Sequence, residues 1–153
     1  MTEVESILDQ LRRAFEGQAW HGPSVMELLA DVTAAEAAAR PLARAHSIWE
    51  LALHIAAWEN AARRRLTGDR AELPTAEDWP ALLETGEAAW QEALQFLKTN
   101  HQELRAEIAR LTDAELRKPI LEGMSSIYGT LHGVIQHDLY HAGQIALLKK
   151  ALR

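Results

Sequence analysis

Apolar residues recur at steps of three and four along most of this chain and nowhere alternate strictly at period two, so the pattern predicts helices throughout. Residues Glu3 to Gly17 place Val4, Ile7, Leu8, Leu11 and Phe15 on one face, with Gly17 as the stop. In the breaker AWHGPS that follows, Gly22-Pro23 interrupts the pattern and Ser24 can cap the next element. Val25, Leu28, Leu29 and Val32 then continue an apolar face, as a short helix or as the first one resumed. Thr33 opens another short helix with Glu36 at the capping-box position.

The second main helix starts at Ser47, with Glu50 completing a capping box, and runs to about Thr67-Gly68. Its core stripe is Ile48, Leu51, Ile55, Trp58 and Ala62, with His54 on the flank. Asp69 to Pro80 reads as a polar connection broken by two prolines. Ala81 to Leu111 is one long, largely helical stretch in which Gly86 and Asn100 mark frays or kinks. Thr112 to Glu115 forms a cap and short turn, and Ser125 or Ser126 opens the final helix. The expected fold is all-α: a four-helix bundle with short additional helices, in one domain spanning residues 1–153.

The final helix carries the chemistry. Val134, His137, His141, Ile145 and Leu148 share one side of it, so two imidazoles are expected to face the interior. A buried imidazole needs partners for both ring nitrogens, or it loses roughly 1–3 kcal/mol in unrepaid desolvation. Two histidines at i, i+4 can be separately satisfied core residues, or can aim two nitrogens at one metal ion. His54, at comparable depth on another long helix, would complete a facial set of three with positions left for water or substrate.

Composition narrows the choices. At 153 residues the chain can bury roughly 68–70% of its unfolded surface. Sixteen Lys and Arg against 22 Asp and Glu leave a net charge of −6, which argues against sequence-independent binding to nucleic acid or to an anionic membrane. The one basic cluster, Arg63-Arg64-Arg65, falls at a helix end, where cations complement the macrodipole. With no cysteine, thiolate ligands, cysteine nucleophiles and disulfides are excluded, so a metal must be held by imidazole, carboxylate or water. The acidic, amphipathic N-terminus lacks an apolar signal core and no run of 18 apolar residues occurs, so a cytoplasmic protein is expected.

The segments HSIWELALHIAAWE (His46 to Glu59) and HDLYHAGQI (His137 to Ile145), with WHGPS near the start, resemble the DinB-like superfamily, the damage-inducible group that includes YfiT-type proteins classed as metal-dependent hydrolases. The likeness spans nearly the whole chain. It implies a four-helix bundle of unusual helix order, often dimeric, holding a divalent metal by three histidines. Matched residue by residue, the ligands fall on His54, His137 and His141. Zinc or nickel is the expected ion, since imidazole suits several transition metals. Family members include thiol-dependent transferases and isomerases, so a small-molecule substrate, such as a low-molecular-weight thiol, is implied.

Neighbouring residues receive plainer readings. Gln144 is an ordinary buried amide or a partner for metal-bound water, and Tyr140 packs at the rim. His21, His46 and His132 read as caps or satisfied histidines, with lining the cavity or relaying a proton as the alternative. His101 sits in a solvated segment. Asp138 lies about 100° around the helix from His137 and is not expected as a ligand. Glu50 could fix the tautomer of His54, but its capping duty prevails. Trp58 is expected in the core, Trp49 and Trp90 in the core or an interface, and Trp20 and Trp79 carry no assigned role. No carboxylate lies on the His137–His141 stripe to act as a general base. Two readings besides the enzyme therefore stand: a non-catalytic stress-response or interaction module with a structural metal, and a plain helical dimer without metal.

Overall fold

A computed structural model describes residues 1–153 and contains seven helices: α1 (Glu3–Phe15), α2 (Val25–Leu29), α3 (Ala34–Ala38), α4 (Ile48–Leu66), α5 (Thr75–Asp78), α6 (Glu87–Ile108) and α7 (Ile127–Leu152). The first four open on the same device. Thr2, Ser24, Thr33 and Ser47 each accept the N–H three residues on, and Glu5, Glu27, Glu36 and Glu50 each reach back to the cap residue's own N–H. Replacing such a cap by alanine typically costs about 1 kcal/mol. α7 starts at Ser126, whose hydroxyl accepts the Gly129 N–H at 3.0 Å.

Several boundaries differ from the sequence reading, each for a local reason. α2 is a helix of its own and not a resumption of α1, because Gly17 (φ 152°) and Gly22 (φ 134°) turn the chain between them in conformations that favour glycine. α6 begins at Glu87, with Gly86 as its N-cap, so residues 81–86 are irregular. Asn100 makes no break in α6, since its side-chain amide donates to the Phe96 carbonyl at 2.8 Å inside the helix. The connection from Asp69 to Pro80 contains one helical turn, α5.

The four long helices form the bundle, α4 packing on α6 and α7, and α1 on α7 and α6. Their apolar residues do not make one continuous core. One cluster joins Phe15, α2, α3, Ile48 to Ala56 of α4, Trp90 to Leu97 of α6, and Ala142 to Leu148 of α7. The other joins Val4 to Ala14, Ala62, Leu104, Ile108 and Leu131 to Ile135 with residues of the loop before α7. Between them, at matching depth on three helices, lie Glu59, His101, Asp138 and His141, all buried. A polar layer therefore divides the bundle. Each fully buried leucine or isoleucine on either side contributes about 1.5–3 kcal/mol of transfer free energy. No helix is long and apolar enough to cross a membrane.

Candidate metal centre

The open side of the polar layer is built by α4, α5 and α7. His54 and His141 are each 6% exposed, and the His137 side chain 24%. Their Nε2 atoms converge: His137 lies 3.0 Å from His54 and 3.1 Å from His141. One nitrogen from each falls within 4.8 Å of the others.

Two of the three outer nitrogens are fixed by acceptors. His54 Nδ1 is 2.9 Å from both the backbone carbonyl and the carboxylate Oδ1 of Asp78, and His141 Nδ1 is 2.6 Å from Gln144 Oε1. Those nitrogens carry the protons, so Nε2 of His54 and of His141 presents a lone pair to the centre. Burial, followed by the neighbouring His54 and His46, lowers the pKa of His141 and opposes a proton there, against the raising effect of Gln144. The lone pairs of His54 and His141, both turned on the His137 nitrogen at about 3 Å, fit a shared cation. Ligand nitrogens about 2.0–2.1 Å from one ion stand close to that far apart. The three histidines could hold a metal ion, as the sequence reading expected.

Behind His54 stands a stack that sequence reading did not foresee. Trp79 lies 3.8 Å from His54 (5° between planes) and 3.5 Å from His46 (7°). Two imidazoles cannot both sit that close over one indole face, so Trp79 is sandwiched between them. His46 thus supports the wall of the site through Trp79. Asp78 also accepts the Trp58 indole N–H at 2.8 Å, so Trp58 is half-buried at the cavity and not in the core as expected. The "polar connection" supplies both residues that brace His54. Its proline-broken sequence gave no periodic signal for this.

The other side of the layer is closed. Glu59, entirely buried, takes a hydrogen bond from His101 Nδ1 at 2.9 Å, and its carboxyl interacts with that of Asp138, also entirely buried. His101 is 1% exposed and stacks on Phe15 at 3.7 Å, which corrects its reading as a solvated residue. Burial raises Glu59 to about 8, pushes Asp138 well above the usual carboxylate range with Glu59's charge adding to the effect, and lowers His101 to about 3. Asp138 points beneath the histidines, its Oδ1 3.9 Å from His137 Nδ1. The signal for this cluster was available: Glu59 follows Ile55 by four and precedes Ala62 by three, and His101 sits between Leu97 and Leu104 in the same way.

The remaining expectations resolve simply. Glu50 keeps its cap and also pairs with Arg40, leaving His54 to Asp78. Tyr140 is a rim residue, 67% exposed, its ring edge-on to His141 at 5.2 Å. Gln144 is neither a plain buried amide nor a free donor, since its carbonyl oxygen fixes His141. Trp49 and Trp90 are core, and Trp90 donates to the Val32 carbonyl at 2.8 Å. His132 lies beside Tyr128, 3.7 Å from Glu3, and His21 is exposed; neither reaches the three histidines' cavity. Trp20 is fully exposed.

That cavity, about 510 Å³, is lined by the three histidines, Trp58 and Arg65 among others. A bundle whose interior histidines open onto such a pocket defines a class before it defines a chemistry. The family model of the DinB superfamily matches residues 19–145, and the chain belongs to that superfamily. Comparison with curated proteins and with solved structures returns no match.

Proposed function

We propose that this chain is a metal-dependent enzyme in which His54, His137 and His141 hold one divalent ion, zinc or nickel, and act with it on a small molecule in the cytoplasm. The observation that carries the reading is the convergence of three Nε2 atoms on the wall of a cavity large enough for a ligand. An ion held by three neutral imidazoles keeps positions for a further ligand, and would lower the pKa of a bound water or thiol towards neutrality.

The protein's own part is positioning. Asp78 and Gln144 hold two of the imidazoles in the required tautomer, and Trp79 fixes the plane of the His54 ring. Asp78, the one carboxylate on the cavity wall, is committed to His54 and Trp58. Transfer of a thiol, which needs no separate base once ionised, therefore suits the cavity better than hydrolysis. The same reading carries a homodimer. Tyr140 and Leu147, exposed and two turns apart on α7, offer an apolar strip for pairing, which sedimentation would test.

Metal content by mass spectrometry of untagged protein tests the core of the proposal. The expected result is about one divalent ion per chain in the wild type, lost in His54→Ala and in His137→Ala. Wild-type protein that holds no ion even after reconstitution would overturn it.

A further inference from the structure

Of the three consecutive arginines that close α4, two have carboxylate partners: Arg63 lies 3.4 Å from Glu103 and Arg64 2.8 Å from Asp69. Arg65 has none. Its Nε and Nη2 donate to the backbone carbonyls of Arg70 and Ala71, at 3.0 and 3.2 Å, which fix the guanidinium without neutralising it. The guanidinium carbon stands 5.6 Å over the Trp58 ring, and the other neighbour of that ring is His137, 6.1 Å away between centroids. Nη1 has no protein partner. Arg65 and the three histidines line the same cavity, with Trp58 beside both Arg65 and His137.

A half-buried cation without a counter-ion is unusual on a protein of net charge −6, and a helix-end role explains it poorly, since two neighbouring arginines already fill that role. Arginine is the residue whose planar fork matches a carboxylate, and pinning it in advance removes most of its ordering cost. Asp78, the one anion on the wall, has its Oδ1 shared between the His54 and Trp58 donors. The walls between are Ala62, Thr130, Gly133 and Val134, which offer room and no charge.

We propose that Arg65 anchors an anionic group of the ligand, so that the site takes small molecules carrying a carboxylate at one end and a metal-seeking group at the other. This rests on the metal-centre reading for its second half only. Arg65 is then a specificity-determining residue.

The test uses cobalt-substituted, full-length protein and pairs of thiols that differ only in charge: 3-mercaptopropionate and 6-mercaptohexanoate, each against its neutral amide. Thiolate binding is read from the sulfur-to-cobalt absorption band. The acid of at least one pair is expected to bind roughly tenfold or more tightly than its amide. Arg65→Gln should abolish that preference while leaving the amide's affinity unchanged, and Arg65→Lys should retain part of it. The comparison within one protein removes any general effect of the substitution on folding. Equal binding of acid and amide by the wild type, or a preference that survives Arg65→Gln, would overturn the proposal. If no thiol perturbs the cobalt band, it is the thiolate reading that fails. The anion site is then decided by the Arg65 Nε–H resonance, identified by its absence in Arg65→Gln. A shift on adding butyrate but not butyramide sustains it, and no shift overturns it.

Discussion

The two sides of the polar layer use similar residues to opposite ends. On one side, three imidazoles turn a ring nitrogen towards a cavity, and two of them have their outer nitrogens fixed by Asp78 and Gln144. On the other, an imidazole and two carboxyls turn towards each other in the dry interior, where burial favours their neutral forms. The two meet at consecutive residues, since His137 belongs to the first group and Asp138 to the second. Polarity in a helix bundle thus says little by itself. What separates a binding centre from a structural cluster is whether the free lone pairs point to open space or to each other.

The comparison predicts a double dissociation. Glu59→Ala should cost about 3 kcal/mol, because it opens a cavity and removes the buried partner of His101 Nδ1, while the folded fraction still binds metal. His137→Ala should abolish metal binding, yet leave the metal-free chain within about 1 kcal/mol of wild type, since its Nδ1 has no hydrogen-bond partner and its Nε2 meets only the neighbouring imidazoles at the cavity, where water can replace it. Chemical denaturation of metal-free protein, beside metal analysis, checks both. If either variant loses both properties, the two sides form one unit.

Braces should matter less than ligands. Asp78→Ala is expected to weaken metal affinity by about 10–100-fold without abolishing it, because the backbone carbonyl of residue 78 still accepts from His54. Gln144→Ala should fall at the low end of that range, about tenfold. Competition with a chromophoric chelator measures either loss.

The smallest effect sharpens the picture of the closed side. The folded state holds a proton on Glu59 between 4.5 and about 8 that the unfolded chain releases, so stability falls as pH rises through that window. His101 refuses a proton between 6.5 and about 3 that the unfolded chain takes up, so stability also falls as pH drops through that range. Asp138 also keeps its proton in the folded state and adds to the alkaline slope, so His101 offsets only part of it and stability declines most steeply between 6.5 and about 8. Glu59→Gln should flatten the alkaline limb of melting temperature against pH and leave the acid limb in place.

How much of this was legible in the sequence depended on periodicity. The long helices, two capping boxes and the three histidines stood out because steps of three and four, or a Ser/Thr-x-x-Glu pattern, report directly on one helix. Glu59 and His101 carried the same signal, but a charged or ionisable residue within an apolar stripe was passed over or read as solvated. Asp78, Trp79 and Arg65 could not be found this way. Their roles come from how a short connection folds back over α4, and periodicity does not reach across a loop.

Trp79, held between His46 and His54, has a consequence outside energetics. An excited indole transfers an electron readily to a stacked imidazole that has gained positive charge, so its emission is expected to dim when either neighbour is protonated or when His54 ligates a cation. Among five tryptophans, the one that closes the wall of the site is also the one whose light reports on it. If the three histidines take an ion as proposed, Trp79 would gauge its occupancy without a label, calibrated by Trp79→Phe.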